Sequence, residues 1–111
     1  MAYEEDLAHR VRELIGEERG LSEMRMFGGL AFLLDGNMAV AVSSKGGLML
    51  RHDPDERDEL LAREHTRPMM MRGHPAKGWL RVDLDGVKTK RQLQGWVRRA
   101  VEFARTLPPK G

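Results

Sequence analysis

A chain of 111 residues, 41% hydrophobic and 32% charged, is sized for one globular domain and is too apolar to stay disordered. It contains no cysteine, which excludes a disulfide framework, a Cys-based zinc site and a thiol nucleophile. The net charge of +2 is unevenly placed: residues 1–20 carry three Arg against six acids, residues 21–85 nine bases against ten acids, and residues 86–111 seven bases against one acid.

No apolar run approaches the length of a membrane span. The N-terminus, Met-Ala-Tyr-Glu-Glu-Asp, is acidic where a signal peptide is basic and then apolar. The expectation is a cytoplasmic protein without membrane contact, folded as a single domain over residues 1–111.

Residues 3–18 read as an amphipathic helix. Leu7, Val11, Leu14 and Ile15 share one face of a 3.6-residue period. Glu4, Glu5 and Asp6 occupy the first turn, where the helix dipole favours anions. Gly20 is a plausible stop. Residues 23–27 then form a short strand that runs into Gly28-Gly29, a pair that indicates a bulge or a close backbone approach.

The stretch around Asp35-Gly36-Asn37 organises the chain. Residues 30–34 and 38–43 are the arms of a hairpin about that turn. Alternation puts Leu30, Phe32 and Leu34 on one face. It puts Met38, Val40 and Val42 together on the partner strand, with Ala39 and Ala41 opposite. A Ser-Ser-Lys-Gly-Gly turn leads to a strand over 48–52.

Asp53-Pro54-Asp55-Glu56 predicts a helix start, with Asp53 as cap, Pro54 in the first position and Glu56 closing a capping box. That helix runs to about residue 64. Residues 67–72 read as a strand that Pro68 confines to a start or an edge. Residues 73–78 read as a loop, and 79–84 as a strand with Leu80, Val82 and Leu84 on one face.

The final helix is the best specified. Thr89 and Gln92 make a capping box. Leu93, Trp96, Val97, Ala100, Val101, Ala104 and Leu107 form a continuous stripe, and Pro108-Pro109 ends it. The order is α-β(4)-α-β(2)-α. This is an α+β fold: a mostly antiparallel sheet of five to six strands, in two layers, with helices over one face. A homodimer would bury the other face.

Candidate chemistry is sparse. Of the four histidines, none forms an i, i+4 or HxH pair with another. His52 beside Asp53 admits a metal or proton-relay reading, but Asp53 is already explained as a cap. His65 and His74 flank the Met-rich strand, and a metal between them lacks a third ligand. Ser43-Ser44-Lys45-Gly46-Gly47 is not a P-loop, and Gly28-Gly29 lacks dinucleotide-binding spacing. The acids between 53 and 59 read as a solvated first turn. No catalytic residue, metal or cofactor is expected.

Two groups remain. Met69, Met70 and Met71 are consecutive, so in a strand they cannot all point into one core. They form a candidate interface. Arg91, Arg98 and Arg105 recur every seven residues on one helix face and are candidate anion or nucleic-acid contacts. Glu102 lies in the same stripe, placed to pair with Arg98 or Arg105.

Met26-Phe27-Gly28-Gly29-Leu30, Asp35-Gly36 before an apolar strand, and Leu48-Met49-Leu50-Arg51 resemble the TfoX/Sxy N-terminal-domain family. Arg67-Pro68-Met69, Lys77-Gly78-Trp79 and the run 103–110 are similar to its small stand-alone bacterial members. The resemblance covers nearly the whole chain. It implies a two-layer α+β fold like that of secretion-chaperone-type domains, often dimeric. It also implies a link to regulators of natural competence, which act with a cyclic-AMP-responsive activator. Those namesakes carry a further C-terminal domain of helix-hairpin-helix character, which these 111 residues do not include. The family brings no catalytic residues. Met26, Phe27, Gly28, Gly29, Lys77, Gly78 and Trp79 are its signature positions, structural or functional.

Three functions compete. The first is a non-enzymatic regulatory or protein-interaction module, acting as a homodimer with a protein partner. The second is a nucleic-acid-binding accessory protein using the basic last helix. The third is a small-molecule binder or enzyme with Arg72, His74 and Lys77 around Trp79. The third demands a concave pocket between Gly28-Gly29 and the 67–79 region.

Overall fold

The apolar stripe of the first helix closes onto a sheet. α1 spans Glu5–Ile15 and buries Leu7, Ala8, Val11 and Ile15. Four strands follow: β1 (Leu21–Met26), β2 (Gly29–Leu34), β3 (Asn37–Val42) and β4 (Leu48–Arg51). The short α2 (Arg57–Leu61) leads to β5 (Thr66–Met71) and β6 (His74–Val82), and α3 (Lys90–Ala104) completes the chain. This computed structural model describes residues 5–26, 28–44 and 46–109. Phe27 and Lys45 lie outside the described residues, as does the side chain of Met26.

The six strands form one sheet in the order β1-β2-β3-β4-β6-β5, with every pair antiparallel. The edges are β1 and β5. Pro68 therefore sits on an edge strand, where a missing N–H costs no ladder bond. The α2 crossover lets the chain skip one position and return through the β5–β6 hairpin.

Buried residues of all three helices join one cluster with Phe32, Val40, Leu50, Leu80 and their neighbours. The described helices thus cover a single face of the sheet, as the stripes predicted. α3 lies over β3 and β4, with α1 beside it. Five residues of α3 are buried, from Leu93 to Ala104. At about 1.5–3 kcal/mol for each large apolar side chain removed from water, this stripe is the main attachment of the helix layer. Its capping box forms as read: Gln92 N–H donates to the Thr89 hydroxyl at 3.1 Å, and Thr89 N–H to the Gln92 side chain at 3.0 Å.

Several expectations are corrected. Residues 73–78 are not a loop. β6 begins at His74, because Arg72 and Gly73 make a two-residue turn with φ of 51° and 82°. The Asp35-Gly36 turn has the same geometry, with φ of 51° and 85°. Paired positive φ angles match the right-handed twist of hairpin arms. The helix after Asp53 is a single 3-10 turn followed by five α-helical residues. Asp53 caps it through Asp55 N–H at 3.0 Å, but no box closes. Glu56 instead accepts from Arg99 on α3 at 3.0 Å.

β3 also departs from strict alternation. Val40 pairs with Phe32 but Met38 with Leu33, so Ala39 is an extra residue in a bulge. The bulge turns Ala39 inward and puts Met38 with Leu33 on the opposite face, away from Val40 and Val42. Gly28 lies in the β1–β2 turn and not in a bulge, since Met26 pairs with Gly29. Gly29 is the close approach: a Cβ there would stand 2.4 Å from the Val42 carbonyl oxygen.

Arg12 of α1 donates two hydrogen bonds to Glu23 of β1, at 2.8 and 2.9 Å. Those bonds hold the Glu23 carboxyl below the usual range, against the opposing pull of partial burial.

Candidate functional site

The face without helices carries the candidate site. One row of cross-strand neighbours crosses the whole sheet there: Met24, Ala31, Ala41, Met49, Arg81 and Arg67. Its two alanines are buried although no described helix covers them. Their side chains are too short to rise above Leu33, Met38 and Met49, which flank them. The row is therefore a shallow trough with an alanine floor.

At the β5–β6 end the trough deepens into a cavity of about 1100 Å³. Gly29 and the β3–β4 turn (Ser43, Ser44, Gly46) form one side, and Arg67 to Arg72 of the edge hairpin the other. Met69 is half-buried, whereas Met70 and Met71 are exposed. All three line the cavity, so the candidate interface of the sequence sits where a ligand or partner can reach it. Arg81 fixes the opposite wall by donating to the Gly46 carbonyl at 2.8 Å.

The pocket stands between Gly29 and the β5 region, as the third reading demanded, but its polarity has a different source. Arg72 lines it; His74, Lys77 and Trp79 do not. Arg67, Arg81 and Asp83 supply the other charges among the described lining residues. Alternation of Leu80 and Val82 placed Arg81 on the far face. That Arg67 stands beside it required the strand order, which the sequence does not print.

Lys77-Gly78-Trp79 has a structural setting. Between the pairs Pro68–Leu80 and Met70–Pro75, β6 carries more residues than β5 and bulges. Gly78 adopts a φ of 80°, open to glycine at no steric cost. Its carbonyl accepts from His52 N–H at 2.8 Å. His52 is fully buried. Arg57 Nη1 lies 3.3 Å from His52 Nε2, 3.0 Å from the Trp79 carbonyl and 3.5 Å from that of Ala76. A guanidinium only donates, so Nε2 accepts and the ring proton is assigned to Nδ1, which faces the Asp53 carbonyl at 2.9 Å. Both ring nitrogens are thus engaged, and His52 with Arg57 clamps the bulge. Trp79 lies under Arg51, whose guanidinium carbon is 5.9 Å from the ring centroid.

The remaining histidines do not meet. His65 precedes β5 and His74 follows it, at opposite ends of the strand. Among the described residues, no three His, Asp or Glu side chains come together to hold a metal ion. No helix among them is long and apolar enough to cross a membrane.

The three arginines of α3 and its C-cap part company. Arg105 bonds to Glu18 at 3.1 Å, Asp35 at 3.2 Å and the Arg19 carbonyl at 2.7 Å. It ties the helix end to the α1–β1 loop and the β2–β3 turn. Its carboxylate partners are these two, and not Glu102. Arg91 and Arg98 are exposed. The neighbouring Arg99 is spent on Glu56, and Lys88 on Asp85. Much of the basic excess at residues 86–111 is therefore matched by acids from elsewhere in the fold.

Comparison with curated proteins finds no match. A family model, that of the TfoX N-terminal domain, matches residues 13–104, from the last turn of α1 to the end of α3. The match takes in every strand, the Asp35-Gly36 and Arg72-Gly73 turns and the clamped bulge, and the chain belongs to the TfoX N-terminal domain family.

Proposed function

We propose that this chain is a non-enzymatic regulatory module that acts by protein contact, as a homodimer joined through the bare face of its sheet. The observation that carries this reading is the uncovered apolar row Met24-Ala31-Ala41-Met49. A sheet face built this way gains by being buried, and methionine adapts to the surface it meets. Two such faces brought together at about 10 Å would let Leu33, Met38 and Met24 of one copy fill the alanine trough of the other. Membership of a family not known for enzymes supports a regulatory role over a catalytic one. A link to competence regulation extends the same reading.

Light scattering after size exclusion tests it. The expected mass is twice 12.7 kDa, returning to the monomer when Met24 and Met38 are both replaced by Lys. A wild-type monomer at every concentration overturns the dimer. The same run with DNA at low salt tests the nucleic-acid reading. Phosphate binding through Arg91 and Arg98 would shift the mass and vanish as salt rises; no shift is expected.

A further inference from the structure

The bare row changes character at β6. Arg67 and Arg81 are direct cross-strand partners on one face. Like charges in that relation destabilise a sheet. One carboxylate answers them: Asp83, 2.8 Å from Arg67. Arg81 turns to the Gly46 carbonyl, a dipole and not a counter-charge. Arg72 lines the same cavity and has no carboxylate partner among the described residues. Among the described lining residues, three guanidiniums against one carboxylate give a charge of +2 (three minus one), since the others are uncharged. A local rule broken at one place, and only partly compensated among the described residues, marks a functional position.

The rest of the wall is apolar and deformable. Met49, Met69, Met70, Met71 and Leu84 line it, and Met70 is 55% exposed. The volume, about 1100 Å³, is just above the usual range of small-molecule clefts, roughly 300–1,000 Å³. A second copy of this chain is the wrong occupant for this end of the face. It would bring the same three arginines and, among the described lining residues, only Asp83 as an acid, already paired with its own Arg67.

We propose that the cavity binds an amphiphilic organic anion. A carboxylate or phosphate head is held by Arg67, Arg72 and Arg81, and an apolar body lies along the methionines. The planar fork of arginine matches both head groups, and the flexible thioethers accept bodies of differing shape. The proposal does not need the dimer, which uses the neutral end of the row and shares Met49 with the cavity.

Calorimetry on the full chain tests it, with decanoate and decyl phosphate as monomeric probes and decyltrimethylammonium and inorganic phosphate as controls. Both amphiphilic anions should bind at least tenfold more tightly than either control. Arg72→Gln, on an exposed turn, should weaken them fivefold or more. Arg81→Gln should do the same, and Arg91→Gln on α3 should change nothing. Equal binding of the cationic amphiphile overturns the proposal, since the site is then only greasy. So does an unchanged affinity in R72Q. Binding to phosphatidylglycerol vesicles without binding to the monomeric anions also overturns it, in favour of a lipid surface. Light scattering on the same samples separates the two readings: a monomer that still binds decanoate ends the dimer and leaves this site standing.

Discussion

Two neighbouring rows of this sheet lie one residue apart on each strand and have opposite fates. Phe32, Val40, Leu50 and Leu80 form one row, and each is fully buried. Ala31, Ala41, Met49 and Arg81 form the next, on the other face. The first row is branched and aromatic and meets three helices. The second is small, then flexible, then charged, and meets no described helix. The difference teaches where the chain spends residues on folding and where it does not. A one-residue slip would exchange the rows, so burial of the first fixes the register that displays the second.

The sharpest way to break this comparison is to truncate each row. Phe32→Ala should cost about 3–5 kcal/mol, the usual penalty for emptying a buried aromatic site. Met24→Gln, at the exposed end of the bare row, should stay within about 0.5 kcal/mol at concentrations where the chain is monomeric. Urea denaturation reads both. Similar costs would mean that both faces belong to the folding core, and the functional reading of the bare face would fall.

The clamp beneath the β6 bulge is the next test. Arg57→Met keeps the aliphatic stem but leaves His52 Nε2 and the Trp79 carbonyl without their donor. The expected loss is about 1–3 kcal/mol, the cost of orphaned polar groups in a protected place. The near-UV signal of Trp79 should change with it. A neutral variant would mean that Lys77-Gly78-Trp79 is held by something else. Removing the α3 cap comes third: Thr89→Ala should cost about 0.5–2 kcal/mol, seen in the same denaturation curves.

Much of this was legible in the sequence because local physics wrote it there. The Thr89–Gln92 cap, the α3 stripe and the Asp35-Gly36 turn each depend on residues close in the chain. What escaped was non-local. Glu56 reads as half of a capping box until Arg99, on another helix, takes its carboxylate. Glu102 reads as a partner for Arg98 or Arg105, but Arg105 is taken by Glu18 and Asp35 from the far side of the fold. Met38 reads as sharing the face of Val40 and Val42 until a bulge at Ala39 turns it over. The residues 73–78 read as a loop because Gly73, Pro75 and Gly78 are turn formers, and here they serve one tight turn and one bulge inside a strand. The arginine pair at the cavity follows the same pattern. Each arginine is visible, but their adjacency is a product of strand order.

The smallest expected effect lies where the covered face runs out into solvent. Glu23 stands in cross-strand register with Phe32, at the β1 edge, and its charge is held by Arg12. Because that pairing lowers the carboxyl's pKa in the folded protein, the unfolded chain takes up a proton first as pH falls. The contribution of the pair is thus complete above the ordinary carboxylate range and is lost as pH drops through the lowered value. Both side chains are partly exposed, so its size should be that of a surface pair, about 0.2–1 kcal/mol, and should shrink with salt. Glu23→Gln isolates it. The stability gap between wild type and variant should be present at neutral pH and close on acidification. A gap that persists in acid would show that Glu23 acts through packing at the sheet edge and not through its charge.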